Sequence, residues 1–459
     1  MAASKYNIDM CRGPLFPKII RFAVPLYFTT VLQLLFHMAD MVVLGQFSKS
    51  ETAFAAVTAI GPVTGFFINI FSGLSVGANV VISRYYGAKD SKQMRRASHT
   101  VMAIALYGGI LLGILGLVFK DAMLNWVQIP DELYRQSSLY IIIICIGMPF
   151  SVLCNFGSAI LRAVGDTRRP LYYLSFAGVI NVLLNLVFVI VFGMDVAGVA
   201  VATLIANAIS AWLVFRALTH STDSYRIKPS LIRISFDIMR EVLWIGLPAG
   251  FQSACFAVSN LIIQGALNGL GKDVIAGCGA ALTLEGLMWA GTYVFHMTAI
   301  SFVGQNMGGN KPVRILRSMI YIMICSAALS LIMGGVFLAF GEPLLSIFNV
   351  TPEQMKYGMV RMFVFCTTYF IAGIMDSLTG CLRGLNYSLT STFISLLWIC
   401  LFRIFWMWCI FPRHRTLEWL LWSYPISWVM ACICSAVAIY FIMRKMLRGR
   451  WFHVSRQAA

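Results

Sequence analysis

Twelve apolar stretches, each long enough to cross a bilayer, follow one another through the 459 residues. They fall at about 17–44, 52–82, 97–119, 135–161, 171–193, 197–218, 241–268, 274–304, 315–340, 355–382, 389–411 and 418–443. A helix rises 1.5 Å per residue, so about 20 apolar residues span the hydrocarbon core. The chain is 59% hydrophobic and only 12% charged, with a mean hydropathy of +0.80. Soluble globular proteins carry roughly 25% charge. The pattern predicts an all-α integral membrane protein.

The formal net charge of +17 falls in the short connections between spans and forms no continuous patch with interleaved aromatics. Nucleic acid is therefore not an expected partner. With the N-terminus inside, 26 of the 35 Lys and Arg residues lie in inside segments. Eight lie outside, Lys49, Lys120, Lys356 and Arg361 among them, and Arg403 lies within a span. That bias predicts a multi-pass plasma-membrane protein with both termini cytoplasmic. The polar start MAASKYNIDMCRG is followed by an apolar run too long for a signal-peptide core. The twelve cysteines are scattered, with Cys432 and Cys434 the only close pair and no histidine cluster beside them. They read as small hydrophobes rather than as metal ligands or disulfides. No phosphate-binding GxxxxGK[ST] motif is present, so ATP hydrolysis is not expected. No catalytic grouping stands out, and neither an enzyme nor a bound cofactor is expected.

The chain repeats itself. Pro248 in WIGLP follows Pro25 in RFAVP by 223 positions. VGQNMGGNKPVR, from Val303, follows ISRYYGAKDSKQ, from Ile82, by 221. The prolines of QIPDE and NVTPEQ, Pro130 and Pro352, are 222 apart, and LRGLNY follows LRAVGD by 221. The predicted organisation is an N-lobe at 1–218, an inter-lobe linker at 219–240 and a C-lobe with a basic tail at 241–459. Each lobe holds six spans, and an even number returns the chain to its starting side. The two bundles are then related by a pseudo-two-fold axis along the membrane normal, as in secondary transporters with a substrate cleft near the midplane.

These motifs carry a family resemblance. The chain resembles multidrug and toxic compound extrusion (MATE) transporters over nearly its whole length. The carrying features are Pro25 with Asp40 and Gly45, AFAAVTAIGP at 53–62, GANVVISRYYGAKD at 77–90, LRAVGDTRRP at 161–170, and the second-half motifs VGQNMGGNK and CLRGLN. The resemblance implies an antiporter that exchanges H+ or Na+ for amphipathic organic cations. The runner-up it implies is a lipid-linked oligosaccharide flippase of the same superfamily. The expected partners are small organic cations and membrane lipid, and the protein is expected to act as a monomer.

Within the first span lie one proline and one acid. A carboxylate at membrane depth costs about 2.5–3.5 kcal/mol on insertion scales, which marks a functional site. The resemblance gives Asp40 the coupling-ion role in the N-lobe, with Asn181, Asn185 and Thr203 beside it. Asn181 and Asn185 are four apart on one helical face, and their oxygens with the Thr203 hydroxyl are hard ligands. The alternatives are an Asp40 solvated at the outer helix end and amides that merely bond helices together. His37, three residues before Asp40, either shares its proton or is satisfied by neighbouring helices. Pro25 is the expected hinge, because it removes a helix hydrogen bond. The C-lobe offers Glu285, Asp376 and Arg403 as cleft residues. A buried Arg403 calls for a partner, expected in Asp376 or Glu285. The repeat maps Asp376 onto Asn155, Glu285 onto Thr64, and Asp40 onto Ile263. The lobes therefore differ in chemistry.

Overall fold

The computed structural model describes residues 6–48 and 52–448. Lys5, Lys49, Arg450, Arg456 and the end of the basic tail lie outside the described residues. Within them every regular element is helical. The first half runs α1 (Leu15–Phe47), α2 (Ala53–Ala59), α3 (Gly61–Gly87), α4 (Ser91–Trp126), α5 (Asp131–Ala163), α6 (Arg168–Leu186) and α7 (Asp195–Thr219). The second runs α8 (Phe236–Asn268), α9 (Lys272–Gly308), α10 (Pro312–Ala339), α11 (Gly341–Ser346), α12 (Pro352–Gly384), α13 (Ser388–Ser395), α14 (Phe402–Phe405) and α15 (Leu417–Leu447). Among the described residues, 11 helical stretches are long and apolar enough to cross a membrane.

The second expected span is broken rather than continuous. It divides at Ile60 into α2 and α3, where Gly61 is followed by a proline in the first turn of α3. A proline lacks the N–H that would continue the ladder. Two other spans change pitch. A π-helix, Val187–Val191, continues α6, and two more, Leu396–Leu401 and Trp406–Ile410, flank the single turn of α14.

The repeated motifs are helix punctuation. Gly165 of LRAVGD takes a left-handed φ of +92°, and a Cβ there would meet the Ile8 backbone. Asp166 then accepts from the N–H groups of Arg168 and Arg169 at 3.1 Å each and opens α6. Burial pushes the Asp166 carboxyl above its usual value, against the pull of Arg169. In the second copy, Asn386 occupies the Gly165 position at φ +70°, and Asn tolerates that region better than most side chains. NVTPEQ is a capping box: Thr351 and Gln354 cap each other's backbone at the start of α12.

The chain folds into two compact units. The first takes the described residues up to Asp9 and Val24–Gly250. The second takes Met10–Ala23 and the described residues from Phe251 onward. These bounds differ from the expected division at 218 and 241. Residues 10–23 join the second unit because Gln305, Asn306 and Arg314 bond the Met10 backbone. The linker and the start of α8 join the first. There His99 accepts from the Lys228 N–H at 3.0 Å, and Glu241 pairs with Arg84. The changeovers fall just before Pro25 in α1 and just after Pro248 in α8. Beyond Pro25, the hydroxyls of Thr29 and Thr30 donate to the carbonyls four residues back, at 2.8 and 3.1 Å.

Helices within each unit meet on glycine. A Cβ on Gly109 of α4 would lie 2.7 Å from the Pro149 Cα of α5, and one on Gly113 would lie 2.6 Å from the Cys145 oxygen. The second unit repeats this at Gly334, 221 positions on, against the Cys366 carbonyl of α12. Small residues that let backbones approach are the usual means of helix association in lipid. Adjacent glycines make a clean test. Gly108 has nothing within 4 Å of a Cβ, so Gly108→Ala should leave the melting temperature in detergent unchanged or higher. Gly109→Ala should lower the melting temperature, since overpacking costs about 1–3 kcal/mol of stability. Equal melting curves would show that close approach is not what glycine provides there.

Candidate functional site

In the first unit Asp40 reaches inward from α1, half-buried, and meets α6. The Asn185 amide donates to Asp40 Oδ1 at 2.5 Å. The same amide approaches Asn181 Oδ1 at 3.4 Å, and Asn181 in turn approaches Thr203 Oγ1 of α7 at 3.4 Å. Asn181 and Asn185 are buried, at 5% and 0% exposure. The four predicted residues are therefore brought together on three helices. Asp40 lies about two turns before the end of α1 and is half-buried. Among the described residues its charge is met by neutral donors, the Asn185 amide and the Thr203 hydroxyl. Asn185 Oδ1 is buried and has no hydrogen-bond partner among the described residues. The cluster thus offers a carboxylate, two amide oxygens and a hydroxyl, a set of hard oxygens that suits a proton or a small hard cation.

The walls around it are apolar. Val43, Leu44, Val57, Val189, Val196 and Val199 form a buried cluster, with Met41, Tyr140 and Leu186 packed on it. The π-helix begins two residues after Asn185, and such π segments recur at functional sites. His37 and Asn155 do not join the group. His37 is exposed, and no hydrogen bond ties it to Asp40 among the described residues. The Asn155 amide donates to the Ser151 carbonyl of its own helix at 2.9 Å.

In the second unit the expected partnership of Arg403 is corrected. Glu285 of α9 is taken by Arg361 of α12. Arg361 Nε donates to Oε1 at 2.5 Å and Nη2 to Oε2 at 2.9 Å, with both residues buried. Asp376 has the Thr292 side chain beside it and lies in the field of Arg383, with Arg403 not among its electrostatic neighbours. Arg403 instead donates from Nε to Ser427 Oγ at 3.0 Å and stacks over the Tyr424 ring at 4.2 Å. The physical reason is placement. Arg361 lies in the third turn of α12 and reaches the carboxylate on α9 bidentately. It is not an outside loop cation, since it falls inside the tenth span.

A further buried network has no signature in the sequence. Arg383 donates to Gln252 Oε1 at 2.9 Å and meets His296 Nε2 at 3.1 Å. A guanidinium only donates, so Nε2 accepts. The proton of His296 then sits on Nδ1, which donates to the Asp376 carbonyl at 2.8 Å. The imidazole is neutral in this arrangement. Its members come from α8, α9 and α12, and no sequence spacing marks them as neighbours.

Paired helices of this length, lined by glycine contacts, enclosing polar groups and exposing apolar side chains, define a polytopic all-α membrane protein. The MatE family model matches residues 25–187 and 248–408, two stretches that begin at Pro25 and Pro248. The chain belongs to the MatE family. It is 25% identical over 390 residues to "Probable multidrug resistance protein NorM" of Thermotoga maritima, covering 83% of this chain and 82% of that one. It is 22% identical to "Multidrug export protein MepA" of Staphylococcus aureus, covering 95% and 96%. A solved structure described as the outward-facing conformation of a multidrug resistance MATE family transporter superposes with a TM-score of 0.90. That match has 18% identity and covers 98% of this chain and 100% of the other.

The Glu285–Arg361 pair yields a stability test. Glu285→Leu leaves the buried Arg361 guanidinium without a carboxylate and should cost about 3–5 kcal/mol. The double variant Glu285→Leu/Arg361→Met removes one charge of each sign and should recover most of that loss. Thermal unfolding of the purified variants reads both. A double variant no more stable than the single one would show that the pair is not the unit of stability.

Proposed function

We propose that the protein is a secondary active antiporter of the plasma membrane that exports amphipathic, mostly cationic organic compounds in exchange for H+ or Na+ by alternating access. The observation that carries this reading is the Asp40–Asn185–Asn181–Thr203 cluster. It is a half-buried carboxylate that neutral groups support, on a helix that carries Pro25 in its interior. Family membership and the printed names of NorM and MepA support multidrug export as the class of cargo.

The mechanism follows from charge. Asp40 carries a negative charge that neutral donors stabilise but do not cancel. A proton or Na+ cancels it, with the amide oxygens and the hydroxyl completing the coordination of Na+. An organic cation competes for the same charge, because one buried carboxylate neutralises only one cation cheaply. Loading Asp40 changes what the outer part of α1 holds against α6 and α7. Pro25, which leaves a carbonyl of the preceding turn without its helical donor, lets that part move separately from the start of the helix.

Proteoliposomes with an imposed Na+ gradient, then an imposed pH gradient, identify the driving ion. Asp40→Asn should abolish the response to whichever gradient drives efflux of a cationic dye. Asn185→Ala removes a charge-assisted hydrogen bond and should shift the apparent ion affinity by about 10-fold, the equivalent of about 1.5 kcal/mol. Full ion-driven efflux by Asp40→Asn would overturn the mechanism, and transport of a lipid-linked oligosaccharide without dye efflux would favour a flippase.

A further inference from the structure

Three helices of the second unit leave a cleft of about 770 Å3. Its walls come from α10 and α15, and α12 adds Ile374 and Leu378. The volume falls within the roughly 300–1,000 Å3 usual for ligand sites. Most of the lining is apolar, and none of the lining residues is acidic. The basic end of the cleft is the end of α15, where Arg444 and Arg448 line it. Residues four apart share one face of a helix, so Tyr440 and the two arginines stand in a row there. Both arginines are exposed. Neither pairs with a carboxylate among the described residues.

An apolar cleft in a bilayer fills with some lipid tail, because hydrocarbon tails are as apolar as its walls. The tail therefore adds little preference, and the head group decides which lipid stays. From Cys432 to Arg444 the cleft runs twelve residues along α15, about 18 Å at the helical rise. That is slightly more than half of a hydrocarbon core about 30 Å thick, the depth of one leaflet. A tail lying along the cleft sets its head group at Arg444 and Arg448. Guanidiniums bind phosphate oxygens in pairs, and basic pockets between transmembrane helices bind anionic head groups. An organic cation, the cargo class proposed above, meets two like charges at the same place.

We propose that the cleft lined by α10, α12 and α15 holds one anionic phospholipid, its acyl chain along Ile433, Ala436 and Tyr440 and its phosphate at Arg444 and Arg448. Lys445 carries the same charge on the same turn but is not among the lining residues. A diffuse attraction of anionic lipid to this basic end would use Lys445 as much as its neighbours, whereas a bound lipid uses the two arginines. The site is separate from the ion site at Asp40 and does not depend on the transport reading.

The test uses the full-length chain, purified and delipidated in detergent, and two lipids with identical tails, dioleoylphosphatidylglycerol and dioleoylphosphatidylcholine. Native mass spectrometry counts the bound lipid across a titration, and thermal unfolding without lipid checks that each variant folds. Phosphatidylglycerol should bind about 10-fold tighter, as two interfacial arginines permit. The double variant Arg444→Gln/Arg448→Gln should erase that preference and leave phosphatidylcholine binding unchanged, while Lys445→Gln keeps it. Ala436 is exposed in the cleft, so Ala436→Trp fills the groove with every charge in place and should weaken phosphatidylglycerol several-fold. Excess glycerol 3-phosphate, which has the head but no tail, should not displace the lipid. Equal affinities for the two lipids in the wild type would overturn the proposal. So would a preference that the arginine variant loses no more than Lys445→Gln does, binding that Ala436→Trp leaves untouched, or displacement by glycerol 3-phosphate.

Discussion

A charged side chain inside this molecule has no bulk water to turn to, so each one must be met by another protein group. The way those charges are met orders the structure. In the second unit Glu285 and Arg361 tie α9 to α12 through two parallel hydrogen bonds. Arg383 ties α12 to α8 and α9 through Gln252 and His296. In the first unit the one acid of α1 is met by an amide and a hydroxyl on α6 and α7. The helices are long and apolar, and their packing alone permits many rotations. Polar contacts of this kind select one.

The backbone is duplicated while the chemistry is not. Gly113 and Gly334 make the same close approach 221 positions apart, and Gly165 and Asn386 make the same left-handed turn. These positions are set by geometry, which both copies share. The charges are set by use. The second unit buries Arg361, Arg383 and Arg403, each at 6% exposure or less, and the site at Asp40 contains no cation. The same repeated backbone pattern thus carries different buried charges in its two copies.

Much of this was legible in the sequence, and for identifiable reasons. Span length and apolar content report directly on the bilayer, so the helices were readable to within a few residues. Asp40, Asn181, Asn185 and Thr203 were also readable, because an acid in an apolar run is conspicuous and the family resemblance supplied its neighbours. The partnership of Arg361 was not, although its place inside the tenth span held the signal. A tally of basic residues by loop assigns every cation to the surface, and the choice between Arg361 and Arg403 as the partner of Glu285 depends on helix rotation. The break at Ile60 and the π-helices have local causes that apolar periodicity does not encode. The unit boundaries turned on single side chains, Gln305, Asn306 and Arg314, holding the backbone of Met10.

Asp40 and Glu285 differ in what faces them, and that difference bears on which carboxylate a cation can occupy reversibly. Glu285 already faces a full positive charge in Arg361, so adding a cation there would require breaking a bidentate pair and leaving the Arg361 guanidinium unmet. Asp40 faces dipoles. Asn185 lends it a donor without cancelling its charge, and the unpartnered Asn185 oxygen lies buried in the same cluster. A cation arriving at Asp40 gains the whole electrostatic interaction, and its departure strands no buried countercharge. Reversible occupation needs that kind of partner: strong enough to keep the carboxylate in place, and neutral, so that the ion's charge remains the one that decides.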